Sequence, residues 1–247
     1  CGALEVGAGR RPGMSFDADL IACAKLVEKG DPDRFAATMA APVAVRKALF
    51  PIYAFNVEVS RAPWVTKEAI IAEMRLQWWT DALEEIVSGG LVRRHEVVTS
   101  LAHVLDATAA RELQKAVQAR LWDVYRDPFE DQAALSKYIE DTAASLLRAA
   151  SQSLSGTMPQ ALTDLGYASG LAQFLRAVPE LERQGRRPLV DGRPEAVRDL
   201  AKQGFDRLVK SRQARSTVPA EARPVTLAAW QAGPILKQAK SDPRLVA

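Results

Sequence analysis

The sequence predicts an all-α fold, a single-domain helical bundle, on three observations. Apolar residues recur at three- and four-residue steps, strand-like alternation is missing, and glycine or proline marks the end of nearly every apolar run. From Ser15 to Glu28 a stripe of Leu20, Ala24 and Val27 ends at Gly30, the usual helix terminator. Asp31 reads as an N-cap with Pro32 at the first helical position, and Pro42 breaks that helix. Val43 to Val59 carries Leu49, Ile52, Tyr53 and Val57 and stops before Pro63. Thr66 opens a long helix to Ser88, closed by Gly89 and Gly90, with Ile70, Ile71, Met74, Trp78, Ala82, Leu83 and Ile86. His95 to Leu105 and Arg111 to Tyr125 follow as shorter helices. Asp131 to Ser155 has the widest apolar stripe, ended by Gly156. Pro159 to Val178 is apolar on nearly every side and is expected at the centre, with Pro179 ending it. After a polar stretch, Pro194 starts a helix to about Arg215, and a last one runs from about Val225 to Lys240, interrupted near Pro234.

A chain of 247 residues, 48% hydrophobic and 26% charged, can bury a continuous core. No linker, repeat or low-complexity tract divides it, so residues 14–247 read as one helical domain. Cys1 to Gly13 is rich in glycine and arginine and has no apolar stretch; it reads as a disordered or non-native extension before Met14. Thirty-three basic against 30 acidic residues give a net charge of +3, too little to imply nucleic acid, and no aromatic interleaving accompanies the basic clusters. Two cysteines and two histidines, with no CxxC or HExxH spacing, offer no zinc site or disulfide framework. Few cysteines fit a reducing compartment. No apolar run approaches the roughly 20 residues of a membrane-spanning helix.

Four segments carry a family resemblance. Arg46-Lys-Ala-Leu-Phe-Pro-Ile-Tyr-Ala-Phe-Asn56 resembles the Arg…Leu-x-Ala-Leu-Tyr-Ala-Phe stretch of squalene and phytoene synthases. Gly170 to Arg186 is similar to that family's Gln…Arg-Asp-Val-x-Glu-Asp-x-x-x-Gly-Arg motif. Leu76-Gln-Trp-Trp-Thr-Asp-Ala-Leu83 and Leu135-Ser-Lys-Tyr-Ile-Glu-Asp-Thr142 lie between them in family order. The resemblance spans about Asp17 to Val190 and implies a helical bundle of the isoprenoid synthase type.

It also implies a chemistry, which the residues depart from. The family joins two prenyl diphosphates head to head, with Mg²⁺ ions held by aspartates four apart on two facing helices. Such spacing aims both carboxylates at one cavity, and Mg²⁺ requires oxygen ligands to stabilise the departing diphosphate. Here the expected acidic positions are Ser60, Trp64, Ala177 and Leu181, so no catalytic or metal-ligating residue is assigned. Arg176, Val178, Glu180, Gly185 and Arg186 do match the motif. The remaining acidic pairs, Asp81/Glu85 and Asp123/Asp127, read as surface or capping residues, and His95 as surface.

Candidates for a cavity or ligand site are Tyr53, Phe55, Glu58, Trp78, Gln173, Arg176 and Glu180. Of the adjacent Trp78 and Trp79 only one can face the core squarely. Arg183, Arg186, Arg187, Arg193, Lys202 and Arg207 form a basic surface, continued by Lys210, Arg212 and Arg215. The run Ile52 to Val59 and Met74-Arg-Leu-Gln-Trp-Trp resemble the non-catalytic branch of the family, which includes a respiratory complex I assembly factor. The resemblance therefore implies a catalytically silent protein, without cofactor, acting on a protein partner in a membrane-associated complex. A lipid or isoprenoid is the ligand its cavity would accept. The expected location is cytoplasmic, peripheral on the inner face of a bacterial cytoplasmic membrane or on the matrix equivalent. The alternative is a prenyl-diphosphate transferase with an altered, Mg²⁺-dependent active site.

Overall fold

The computed structural model describes residues 13–246, helices joined by turns and irregular segments, with no strand among them. The helices are α1 (Gly13–Gly30), α2 (Pro32–Ala40), α3 (Val43–Arg61), α4 (Ala69–Ser88), α5 (Glu96–Ala102) and α6 (Ala107–Ala119). They continue with α7 (Leu121–Tyr125), α8 (Gln132–Ile139), α9 (Ser145–Ser155), α10 (Gln160–Arg183), α11 (Pro194–Gln213) and α12 (Ala232–Ser241). Short 3₁₀ segments, among them Ala62–Trp64 and Arg223–Ala229, join some of these. Of the expected extension Cys1 to Gly13, residues 1–12 lie outside the described residues, and Gly13 is instead the first residue of α1.

Aspartates start several of these helices, Asp31 and Asp131 as the sequence suggests and Asp106 ahead of the expected start at Arg111. The Asp31, Asp106 and Asp131 side chains accept from the amides of Arg34, Ala109 and Ala134, satisfying donors that a helix N-terminus leaves orphaned. Gly89 and Gly156 take left-handed conformations at the ends of α4 and α9. Gly30 works differently from expectation. Its φ is not left-handed, and a Cβ there would stand 2.4 Å from Val57 Cγ1, so it is the close approach of α1 to α3 that requires glycine.

Prolines were weaker stops than the sequence suggested. α10 runs through Pro179 to Arg183, because the ring costs one N–H bond while buried Val178 and Leu181 hold the next turn against the core. Pro51 likewise sits inside α3, whose residues from Leu49 to Phe55 are all buried. Pro234 falls in the first turn of α12, where its missing donor has no intrahelical partner to lose. Two other expectations are corrected in detail. The long helix opens at Ala69 rather than Thr66, after the Ala62–Trp64 turn, and residues 111–125 divide into α6 and α7.

α10 is central, as its all-round apolarity suggested: it packs on α8, α9, α11, α12 and on a π-helical turn, Glu140–Ala144, that interrupts the 132–155 helix. That turn lies against α10 at very short range. A Cβ on Gly166 would stand 2.4 Å from Ala144 Cα, and one on Gly170 2.4 Å from Ala143 Cβ.

Buried ion pairs tie the layers together. Glu112 of α6 accepts from Lys115 Nζ at 2.6 Å and from Arg148 Nε of α9 at 2.7 Å. Burial by itself would raise the Glu112 pKa, but the two cations outweigh it and hold the carboxyl below its ordinary value. A lowered folded-state pKa gives stability that is full above the unfolded value and lost as pH falls through the folded one. Arg148→Gln should therefore destabilise the protein at neutral pH, with the deficit shrinking on acidification. Urea midpoints of both proteins at pH 7 and pH 3 measure it; an equal deficit at both would show that the pair is not the cause.

Candidate functional site

A cavity of about 470 Å³ lies between α2, α3, α10, the π-helical turn and the Arg223–Ala229 segment. All four positions where acidic ligands were expected, Ser60, Trp64, Ala177 and Leu181, line it. Ala177 and Leu181 reach it by i, i+4 spacing on α10, while Ser60 comes from the end of α3 and Trp64 from the 3₁₀ turn after it; none of the four is a carboxylate.

The cavity does contain carboxylates from elsewhere, each already paired with an arginine. Asp123, expected to be a surface or capping residue, is 4% exposed on the wall. Its Oδ2 accepts from Arg120 Nη1 at 3.1 Å and from the Tyr138 hydroxyl at 3.0 Å, and Arg120 also donates to that hydroxyl at 2.9 Å. Burial raises the Tyr138 pKa, against the Arg120 charge and with the Asp123 charge, so the phenol stays protonated and donates. Arg186, assigned to the basic surface from sequence, is 6% exposed. Its Nη2 donates to the Asp123 carbonyl and its Nη1 lies 3.7 Å from Asp123 Oδ1. The Trp64 ring covers the same guanidinium at 4.5 Å, and Trp122 lies at 5.3 Å. Where the family pattern expects an aspartate, this chain has an indole packed on the motif arginine.

The opposite rim is closed by a second network. Asp33 of α2 accepts from Gln231 Nε2 at 3.0 Å and lies 3.8 Å from Arg176 Nη1. Arg176 in turn donates to Gln231 Oε1 at 2.9 Å and to Gln173 Oε1 at 3.1 Å. Asp31 is bound by Arg34, whose Nη1 is 2.5 Å from Oδ2. Behind it the Tyr53 hydroxyl and Arg34 Nε are buried without a hydrogen-bond partner. Burial chiefly, against the Arg34 charge, pushes the Tyr53 pKa up to about 12.

Of the cavity candidates read from sequence, Gln173 and Arg176 are in the lining. Tyr53 and Phe55 are core residues beside it, and Glu180 is exposed, bound to Arg183 and Gln184. Glu58 and Trp78 line a separate groove of about 680 Å³ with Val65, Ile71, Met74 and His95. There Trp79 faces the core, Trp78 is half-buried, and His95, expected on the surface, packs against both rings and caps α5. Of the basic residues, Arg183, Arg187, Arg193 and Lys202 are exposed, whereas Arg207 is half-buried and bound to Asp164 and Glu140. The sequence reading missed Asp123, Asp33, Arg120 and Gln231. An Arg120/Asp123 pair at i, i+3 was the one local signal for the first network.

Mg²⁺ needs several free oxygen ligands converging on one point. Among the described residues no group of three or more histidine, cysteine, aspartate or glutamate side chains does so, and each cavity carboxylate faces a guanidinium. The residues present do not fit the metal cluster of the fold family.

Fold and cavity define an isoprenoid-synthase-type bundle whose hollow is lined by Ser60, Trp64, Ala177 and Leu181, where the family resemblance led us to expect acids. Residues 27–190 match the squalene/phytoene synthase family model, and the chain belongs to that family. Two solved structures share the fold. One is a dehydrosqualene synthase (TM-score 0.79, 16% identity, 94% of this chain and 89% of that one). The other is a squalene synthase from Alicyclobacillus acidocaldarius (TM-score 0.71, 15% identity, 92% and 95%). Sequence relatives carry a different name. NADH dehydrogenase (ubiquinone) complex I assembly factor 6 homolog of Drosophila melanogaster is 33% identical over 66% of this chain and 51% of its own length. The Rattus norvegicus assembly factor 6 is 27% identical over 90% and 74%. The chain thus spans about half the length of the fly relative. No helix among the described residues is long and apolar enough to cross a membrane.

Proposed function

We propose that this protein is a catalytically silent member of its family, an assembly factor or accessory subunit for a membrane-associated complex of the respiratory complex I type. The observation that carries the reading is the cavity wall itself. Ser60, Trp64, Ala177 and Leu181 stand at the four acid positions, and the nearby carboxylates are neutralised by Arg34, Arg120, Arg176 and Arg186. A diphosphate leaving group there would lack the metal charge that makes its departure feasible. The names of the sequence relatives support the same reading. So does the exposed apolar face of α4, where Ile70, Ile71 and Met74, the last 66% exposed, stand free beside Val65. The Arg176–Asp33 and Arg186–Asp123 pairs join distant segments and tie the cavity walls together without a metal.

Incubation with Mg²⁺ and farnesyl or geranylgeranyl diphosphate should release no diphosphate above a heat-killed control. Turnover above that control would overturn the silent reading in favour of an altered prenyltransferase. In cells, tagged protein solubilised at low salt should bring down subunits of the complex, and deletion of the gene should reduce the amount of assembled complex. Normal assembly in the deletion strain would remove the assembly role. A lipid or isoprenoid in the cavity is tested by extraction and mass spectrometry of the purified protein.

A further inference from the structure

A second hollow, of about 720 Å³, sharing no lining residue with the central cavity, lies between α10, the end of α11 and the segment running to Trp230. Arg212, Arg215 and Arg223 line it, and no acidic residue does. The contrast with the central cavity is one of charge balance. There Arg34, Arg120, Arg176 and Arg186 each face a carboxylate, whereas none of these three has one within ion-pair distance among the described residues. Arg223 Nε donates only to the Val218 carbonyl, at 3.4 Å, which leaves its other donors free. Arg212 sits in the last turn of α11, where a cation offsets the helix dipole. That role needs one charge and accounts for neither Arg215 nor Arg223.

Three guanidinium groups around one concavity repel one another and present forked donors without an acceptor. Phosphate oxygens match that fork in geometry and charge. The floor is apolar, built on Leu208 and Val218, and Trp230 stands 58% exposed at the edge. A bare inorganic anion has no use for such a floor; an organic substituent does. We infer that this hollow binds a phosphate ester carrying an apolar group. The phosphate sits among Arg212, Arg215 and Arg223, and the apolar part lies against Leu208, Val218 and the Trp230 ring.

The test uses the full chain and the fluorescence of Trp230, with a Trp230→Phe variant to subtract the other tryptophans. Three probes separate the sources of the phosphate: inorganic phosphate, soluble dihexanoyl phosphatidic acid, and phosphatidylcholine vesicles with and without phosphatidic acid. A saturable response to the soluble lipid is expected, at least about tenfold tighter than to inorganic phosphate. Co-sedimentation with the acidic vesicles would assign the ester to a membrane lipid, and its absence to a soluble ester. The double variant Arg212→Gln/Arg215→Gln should weaken binding at least about tenfold, while Arg187→Gln on another surface leaves it unchanged. Thermal melts of all variants check that the fold is retained, as the exposure of these side chains leads one to expect. Absence of a saturable response, an equal affinity for inorganic phosphate, or binding that survives in the double variant would each overturn the inference.

Discussion

Asp123→Ala is expected to lower the stability of the domain by about 3–5 kcal/mol, the cost of leaving a buried ion pair with one partner. Two guanidinium groups lose their counter-charge together, because Arg120 and Arg186 both lie against this carboxylate. The Arg186 side chain is 2% exposed, so water cannot replace the lost partner. Tyr138 also loses the acceptor of its hydroxyl. For a chain of this size such a loss lowers Tm by roughly 10 °C. Asp123→Asn keeps an acceptor but not the charge and should fall between the two. Chemical denaturation with wild type alongside measures both, and a loss below about 1 kcal/mol for the alanine variant would show that the cavity wall does not depend on this network.

Gly166→Val should cost about 3 kcal/mol, near the upper end of what overpacking usually exacts. The new Cβ would meet the Ala144 backbone, at 2.4 Å from Cα and 3.1 Å from N, and a backbone cannot swing aside as a side-chain tip can. The contact involves the π-helical turn, whose Thr142 and Ala143 also line the central cavity. The variant should therefore disturb the cavity as well as the melting temperature. Gly192→Val is the matched control, since nothing stands within 4 Å of its added Cβ. Equal melting temperatures for the two variants would show that the helix spacing at Gly166 is not fixed by contact.

Helix identity was legible along most of the chain because an amphipathic stripe and an aspartate cap are local signals, written within a few residues of each other. Proline stops were less legible. Whether Pro179 ends a helix depends on what the next turn is packed against, and Val178 and Leu181 answer to residues far off in sequence. The residues standing where the resemblance expects acids were directly readable, since Ser60, Trp64, Ala177 and Leu181 differ from the family pattern in side-chain chemistry alone.

The sequence by itself determined an all-helical bundle of this family and which residues stand where its pattern expects acids, because periodicity, caps and residue identity are properties of short segments. Only the tertiary structure decided that Asp123 and Arg186 are buried partners, that Gln231 closes a rim against Asp33, and that Arg212, Arg215 and Arg223 share one unbalanced concavity. The reason is physical. A charged side chain has the same sequence signature on a surface as in a wall, and its role is set by which distant group folding brings within a few ångströms of it.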